Sequence, residues 1–291
     1  MIIVRLKGGL GNQMFQYAFA KSLAINKNTN FSLDTRYLLD RTPQHNFVHR
    51  NYDLDIFIVE DAIFEGRKLL PYEIYLDKLK WSILKYLNIK FLKQFHLYYE
   101  PYSDFNKDFL NISNETYCNG YFQSYKYFDS IKDTILKNFN FKNELSSNCI
   151  NILRDIKSTN SVCMNFRRSD FVSSSFHDVI DDKYYYNAIE FLNSKFPDLH
   201  IYIFSDDIEW CEKNLNFINP YTLVTHQFAG DKFRSYLELM MECNHFIIPN
   251  SSFAWWAAYL SKSIGKVVIA PKIWDRDGMK NDLIPSEWVR M

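Results

Sequence analysis

The sequence predicts an α/β protein made of two doubly wound halves facing each other across a cleft. Three observations carry this expectation. Short β-branched runs alternate with helical patterns along most of the chain. The runs are almost continuously apolar, as in parallel strands covered on both faces. A length of 291 residues suits two domains of ordinary size.

The elements follow in order. Ile2–Leu6 reads as the first strand, Gln13–Ile25 as a helix and Phe31–Leu33 as a second strand. From about residue 35 to 110 the pattern is less regular, with many aromatics and a long helical candidate at Lys68–Leu87. Asn143–Thr159 is polar at both ends and precedes a fresh strand, so the domains are expected at 1–150 and 151–291. The second half then reads as its own β-α-β-α-β-α-β unit. Its strands are Val162–Phe166, Ile201–Phe204, Phe246–Ile248 and Val267–Ala270. Its helices are Lys183–Phe196, Asp207–Asn214, Asp231–Glu242 and Phe253–Leu260. Tyr185, Ile189, Leu192 and Phe196 fall on one stripe of the first of these. Ligands of such folds bind at strand C-termini.

Composition narrows the function. Hydrophobic residues at 47% against 23% charged allow a sizeable core and exclude global disorder. Lys plus Arg and Asp plus Glu both total 34, so the chain lacks the basic excess of a nucleic-acid surface. An anionic ligand must be held by a few placed cations. Aromatic residues, 18% of the chain, fill cores and also line sites that stack on sugars or bases. Cys118, Cys149, Cys163, Cys211 and Cys243 are scattered and never form a C-x-x-C pair. That pattern predicts reduced, buried thiols and argues against structural zinc. The opening MIIVRLKGG has no signal-peptide core, and no run of about 18 apolar residues predicts a membrane span. The sequons at Asn111, Asn114 and Asn250 are therefore read as chance.

Four motifs carry chemistry. Gly8-Gly9-Leu10-Gly11-Asn12-Gln13 follows the first strand and opens a helix, where glycines let backbone approach a ligand. A dinucleotide fingerprint would need a third glycine at Met14, although Asp34 sits where its ribose-binding acid belongs. The match is partial, and a tight turn is the plain alternative. Asn165-Phe166-Arg167-Arg168-Ser169-Asp170 puts two arginines at the end of an apolar strand, where burial is costly without partners. They form either a surface salt-bridge cluster or a diphosphate clamp, since guanidinium binds phosphate in a fork. Ser205-Asp206-Asp207 offers carboxylates to guanine or ribose, while Ser205 and Asp206 are also good helix caps. Pro249-Asn250-Ser251-Ser252-Phe253 opens a helix with hydroxyls and unpaired N–H groups, which makes an anion nest or merely a capped helix. Together the last three describe a nucleoside diphosphate pocket. The D-x-D pairs Asp53/Asp55 and Asp275/Asp277 are read as structural, so no metal ligand is expected.

With these residues in view the chain resembles the bacterial α-1,2-fucosyltransferases. The shared segments are GGLGNQMFQYAF at Gly8–Phe19, GYFQSYKYF at Gly120–Phe128, and N-F-R-R-S-D at Asn165–Asp170. FSDDIEW at Phe204–Trp210, NSSFAWW at Asn250–Trp256 and IPSEW at Ile284–Trp288 complete the set. They fall in order over essentially the whole chain. The resemblance implies a GT-B architecture of two Rossmann-like domains, acceptor-side at 1–150 and GDP-sugar-binding at 151–291. It implies metal-independent, inverting transfer of L-fucose from GDP-β-L-fucose, without a cofactor. The implied acceptor is a galactose hydroxyl, O2, of a surface oligosaccharide that is soluble or lipid-linked. The implied location is cytoplasmic, with peripheral contact at the inner membrane left open.

In related fucosyltransferases the first arginine of H-x-R-R-x-D binds the donor pyrophosphate, a role that maps to Arg167. The expected donor contacts are Gly9, Gly11, Asn12, Gln13, Asn165, Arg167, Arg168, Asp170, Asp206, Asp207, Asn250, Ser251, Ser252 and Phe253. Arg168 is expected to pair with Asp170. His177 and Asp178, in the loop after the arginines, are the base candidates by position. Asn165 stands where the family has His, and Ser169 where it often has Gly. An amide can replace His as a hydrogen-bond partner but not as a base. Two other readings remain: a related GDP-sugar transferase of different linkage or donor, and a non-catalytic sugar-binding protein on the same fold.

Overall fold

The computed structural model describes residues 1–41, 49–59, 63, 96–100, 104–168, 180–274 and 282–291. The chain forms two compact units, Met1–Asn140 and Phe141–Met291. The division falls ahead of the polar 143–159 stretch. That stretch packs into the second unit: Asn148 Nδ2 donates to the Gln227 carbonyl at 2.9 Å, and Cys149 Sγ to that of Phe228 at 3.6 Å. The helical candidate Lys68–Leu87 lies outside the described residues.

The first unit contains β1 (Ile2–Arg5), α1 (Leu10–Asn26), β2 (Phe31–Asp34), β3 (His96–Tyr99), β4 (Thr116–Asn119) and α2 (Lys132–Asn138). Its sheet runs β2-β1-β4-β3, with every pairing parallel. Gly8 starts the turn from β1 into α1 at φ +80°, and a Cβ there would meet Asn12 Nδ2 at 2.4 Å. From Met14 through Leu23, α1 is buried except at Lys21, so it reads as a core helix rather than an amphipathic one. Aromatic rings dominate the packing around it. Phe19 stacks on Phe122 at 3.8 Å, and Tyr17 meets both Phe31 and Phe139 edge-on or tilted.

The second unit contains α3 (Ile150–Ser158), β5 (Asn160–Phe166), α4 (Asp182–Asn193), β6 (Leu199–Ser205), α5 (Ile208–Asn214) and β7 (Tyr221–Val224). It continues through α6 (Arg234–Met241), β8 (His245–Ile247), α7 (Ser252–Leu260), β9 (Val268–Ala270) and β10 (Val289–Arg290). The sheet is wholly parallel, in the order β10-β9-β8-β5-β6-β7. Counted from β5, that is the doubly wound order in which the chain reverses direction between β5 and β8. Tyr185, Ile189 and Leu192 of α4 are buried against β5 and β6, with Phe196 packed beside them.

The strands absent from the pattern reading have physical reasons. Thr116 and Cys118 of β4 are fully buried without forming an apolar run, because the Thr116 hydroxyl is satisfied by the Ser113 carbonyl at 2.8 Å. β7 lies at a sheet edge and exposes Tyr221, and β10, at the opposite edge, is only two residues long. All five cysteines are buried and free.

Candidate functional site

The reversal between β5 and β8 is where a doubly wound sheet opens a crevice at its carboxyl edge. Arg167 and Arg168 follow β5 directly, Asp206 and Asp207 follow β6, and Pro249–Ser251 leads from β8 into α7. The arginines and carboxylates engage one another. Arg167 Nη1 lies 3.1 Å from Asp206 Oδ2, and the Arg168 N–H donates to Asp206 Oδ1 at 2.8 Å. The Arg168 guanidinium carbon lies over the Trp210 ring, 3.6 Å from its centroid, with Asp207 Oδ2 3.7 Å from Nε. That last distance is too long for a hydrogen bond, and Arg168 Nε is buried with no such partner among the described residues. Trp210 therefore does most of the holding, and the sequence had assigned it no role. The partner expected for Arg168, Asp170, lies outside the described residues, as do His177, Asp178, Asp275 and Asp277.

About a third of the Arg167 side chain is exposed, against 14% of Asp206. A partly exposed ion pair of this kind contributes on the order of 1 kcal/mol. A diphosphate offering forked, charge-assisted bonds can compete for such an arginine at little cost. Asp206 thus orients the guanidinium without locking it.

The helix cap differs from expectation. Asp207, not Ser205 or Asp206, caps α5, its Oδ1 accepting from the Trp210 N–H at 3.0 Å. Ser205 Oγ accepts the Asp207 N–H at 2.9 Å, and His226 Nε2 lies 3.0 Å from the Ser205 carbonyl. Asp206 is left for the arginines. Asn165 is buried and its Nδ2 donates to the Phe204 carbonyl of the neighbouring strand at 3.0 Å. That bond ties β5 to β6. Ser251 caps α7, accepting from the Ala254 N–H at 3.5 Å, while Ser252 and Phe253 are partly exposed. Asn250 is buried with Nδ2 on the Trp274 carbonyl at 3.0 Å, and its role here is to pin that segment.

The glycine motif belongs to the first unit, where its side chains are engaged by neighbouring segments. Gln13 is fully buried, donates to the Gly8 and Asn51 carbonyls at 3.0 and 2.8 Å, and accepts from the Asp53 N–H at 2.9 Å. Asn12 Oδ1 accepts from Gln123 Nε2 at 2.6 Å. Gly11 is buried within α1, and Gly9 is its N-cap residue, with open space where a Cβ would go. The side chains of Asn12 and Gln13 thus have partners within the first unit.

Asp34 settles the dinucleotide alternative. It is 1% exposed and grips Arg36 through both oxygens, at 2.9 and 2.7 Å, while Tyr117 Oη donates to it at 2.7 Å. Burial raises its pKa, but the Arg36 and Tyr117 bonds more than offset that, and the net shift is downward. A carboxylate so enclosed has no reach to a ribose. Asp53 opens a short 3-10 turn at Leu54–Ile56. Among the described residues no group of three or more His, Cys, Asp or Glu could hold a metal ion. Among them, too, no helix is long and apolar enough to cross a membrane.

Two parallel-sheet α/β units, the second with an arginine–carboxylate cluster at its reversal point, define a glycosyltransferase of the GT-B-like class. The chain belongs to glycosyl transferase family 11, whose sequence model matches residues 1–291. It is 30% identical to an α-1,2-colitosyltransferase of Escherichia coli, over 100% of this chain and 99% of the relative. It is 28% identical to the Escherichia coli O-antigen biosynthesis glycosyltransferase WbnK, over 98% and 99%. A galactoside 2-α-L-fucosyltransferase of Caenorhabditis elegans is 25% identical, over 100% of this chain and 79% of that one. Among solved structures, Arabidopsis thaliana FUT1, a mutant in complex with GDP, superposes with a TM-score of 0.56 at 10% identity. That match covers 92% of this chain and 69% of the other, a likeness of fold.

Proposed function

We propose that the protein transfers L-fucose from GDP-β-L-fucose, with inversion and without a metal ion or other cofactor, to O2 of a galactose in a surface oligosaccharide. The observation that carries this reading is the Arg167–Asp206 and Arg168–Trp210 arrangement at the reversal point of the second sheet. Family membership and the galactoside fucosyltransferase relative support the donor and the acceptor.

The residues act as follows. The bond from fucose C1 to the β-phosphate oxygen breaks, and its electron pair leaves with GDP. Arg167 turns its fork from Asp206 to the diphosphate and stabilises the growing negative charge, which supplies electrostatically what a metal would otherwise supply. Arg168, over the Trp210 ring, adds a second cation. Ser252 and the N-terminus of α7 add N–H and hydroxyl donors at the next strand end. The acceptor oxygen bonds to C1 from the opposite face and loses its proton late, to His177 or Asp178 in the loop after the arginines or to water. Asn165 needs no basicity in this scheme, because its bond to Phe204 gives it an orienting part.

The colitosyltransferase relative favours a second reading, transfer of another GDP-linked deoxy sugar by the same chemistry. A donor panel of GDP-fucose, GDP-mannose and GDP-colitose against a galactoside, with NMR linkage analysis of the product, separates the two. An α-1,2-fucosyl product supports the proposal. Faster turnover of GDP-colitose replaces it, and no sugar release from any donor overturns both.

A further inference from the structure

Tyr184 and Tyr185 of α4 are buried, and the reaction scheme leaves both unused. Tyr184 Oη donates to the Ile248 carbonyl at 2.7 Å and to the Ile269 carbonyl at 3.1 Å. One hydroxyl proton thus spans the ends of two neighbouring strands, β8 and β9. The hydrogen-bond ladder shows why a side chain is needed there. The Ile248 N–H donates to the Ile269 carbonyl at 3.0 Å, so in a parallel ladder the Ile248 carbonyl would accept from residue 271. The Lys272 N–H donates to the Met291 carbonyl at 2.7 Å, which keeps the chain extended past β9 and turns the nitrogen of residue 271 towards β8. That residue is Pro271, which has no N–H to give. Buried carbonyls are rarely left without a donor, and the Tyr184 hydroxyl supplies the missing one.

Both carbonyls stand where the strands give way to the site. Ile248 leads directly into Pro249–Ser251 and the N-terminus of α7, and Pro271 leads to Trp274. The bond from Asn250 Nδ2 to the Trp274 carbonyl joins those two segments to each other. Tyr185 reaches the other half of the site. Its ring stacks on Phe166, with centroids 4.0 Å apart and planes 26° apart. Phe166 is the last residue of β5 and directly precedes Arg167 and Arg168. The Phe166 ring also meets Trp210, the ring beneath Arg168, at 6.1 Å. Tyr184 and Tyr185 themselves meet edge to face at 5.1 Å, so ring packing joins the two contacts.

Adjacent residues of a helix point about 100° apart, so a single turn of α4 bears on β8 and β9 through one ring and on β5 through the next. Those strands carry the two sets of groups that face the diphosphate. Hydrogen bonds to phosphate weaken steeply with misplacement, and a shift of about 1 Å in a positioning contact can cost about 100-fold. We propose that Tyr184 is a positioning residue for the nucleoside diphosphate. Its hydroxyl, standing in for the N–H that Pro271 lacks, fixes the end of β8 so that the donors at the start of α7 stay in register with Arg167 and Arg168. Tyr185, packed on Phe166, holds the arginine side of the same spacing. Both act through the backbone of the strands they pack on. The groups they place are anion ligands, so the effect falls on the phosphates and not on the base. The proposal rests on the reading of this edge as the donor site.

The test measures the binding of GDP and of guanosine to the full chain. Tyr184→Phe removes one hydroxyl and keeps the ring. It is expected to raise the dissociation constant of GDP about five- to tenfold by calorimetry. That of guanosine, read by its competition with GDP, is expected to stay unchanged. Tyr202→Phe is the control for lost stability. That ring is 1% exposed, and its Oη pairs at 3.2 Å with the hydroxyl of Thr159, between α3 and β5. It is expected to lower the melting temperature about as much and to change neither constant. Adding Pro271→Ala to Tyr184→Phe returns an N–H to the Ile248 carbonyl and is expected to bring GDP binding back to within about twofold of wild type. The positioning role is overturned by a GDP constant that Tyr184→Phe leaves unchanged, that rises equally for guanosine or in Tyr202→Phe, or that Pro271→Ala leaves high. Should wild type bind no GDP, the donor reading fails and this proposal fails with it.

Discussion

The carboxyl edges of the two sheets share a geometry and differ in chemistry. At the second sheet, two arginines meet two carboxylates through partly exposed contacts of 2.8 to 3.7 Å. At the first, Asp34, at 1% exposure, grips Arg36 through both oxygens, while Arg36 itself keeps 21% of its side chain exposed. A guanidinium on a partly exposed carboxylate exchanges its partner for an incoming anion more readily than one gripped in a fork by a buried carboxylate. Parallel strand ends therefore supply a location, and the exposure of the charges there decides how readily an incoming anion is taken up.

The most damaging way to break this contrast is Arg167→Ala. It is expected to lower kcat/KM for GDP-fucose about 100- to 1,000-fold, as loss of one charge-stabilising donor does. GDP release measured at saturating lactose checks it, and near wild-type turnover would refute the clamp. Next comes Gln13→Ala in the first unit. Its amide satisfies three backbone groups, so about 2–3 kcal/mol of stability is expected to be lost in urea unfolding. The KM for GDP-fucose should hold, and a large rise would return the glycine motif to the donor site.

Trp210→Ala takes away the platform under Arg168. A desolvated cation–π contact contributes about 1–2 kcal/mol, so the dissociation constant of GDP is expected to rise about tenfold by calorimetry. Smaller still is the pH effect at Asp34. Its folded pKa is lowered, so its contribution is complete above the unfolded value of about 3.9 and is lost as pH falls through the lower folded value. Arg36→Leu is expected to lose stability at pH 7, and the gap to wild type to close below about pH 4. A gap constant from pH 7 to pH 3 would show that Arg36 acts by packing alone. The smallest expected effect is that of EDTA, which should leave fucosyl transfer unchanged; strong inhibition would contradict charge stabilisation by arginine.

Much of the second unit was legible because its strands are apolar and its helices carry one clear stripe. Val162–Phe166 and Ile201–Phe204 fall within β5 and β6, and Tyr185, Ile189 and Leu192 face the core. The first unit was harder. β4 reads TYCN, with its polar atoms satisfied locally, so hydropathy alone does not mark it. The arginine pair was visible as a strand-end anomaly, but its partners were not. Trp210 lies on the next helix, and Asp206 reaches Arg167 from the neighbouring strand. In the same way the partners of Gln13 at Asn51 and Asp53 are distant in sequence and were not visible in the pattern.

By itself the sequence determined the α/β class, the parallel character of the strands and the position of Arg167 and Arg168 at a strand end. These follow from local periodicity, which a linear pattern records. Only the tertiary structure decided which polar groups are already satisfied. It engaged Gln13 and Asp34 within the first unit and placed Arg168 on Trp210. Hydrogen-bond satisfaction depends on which distant segments meet, and a linear pattern does not record that.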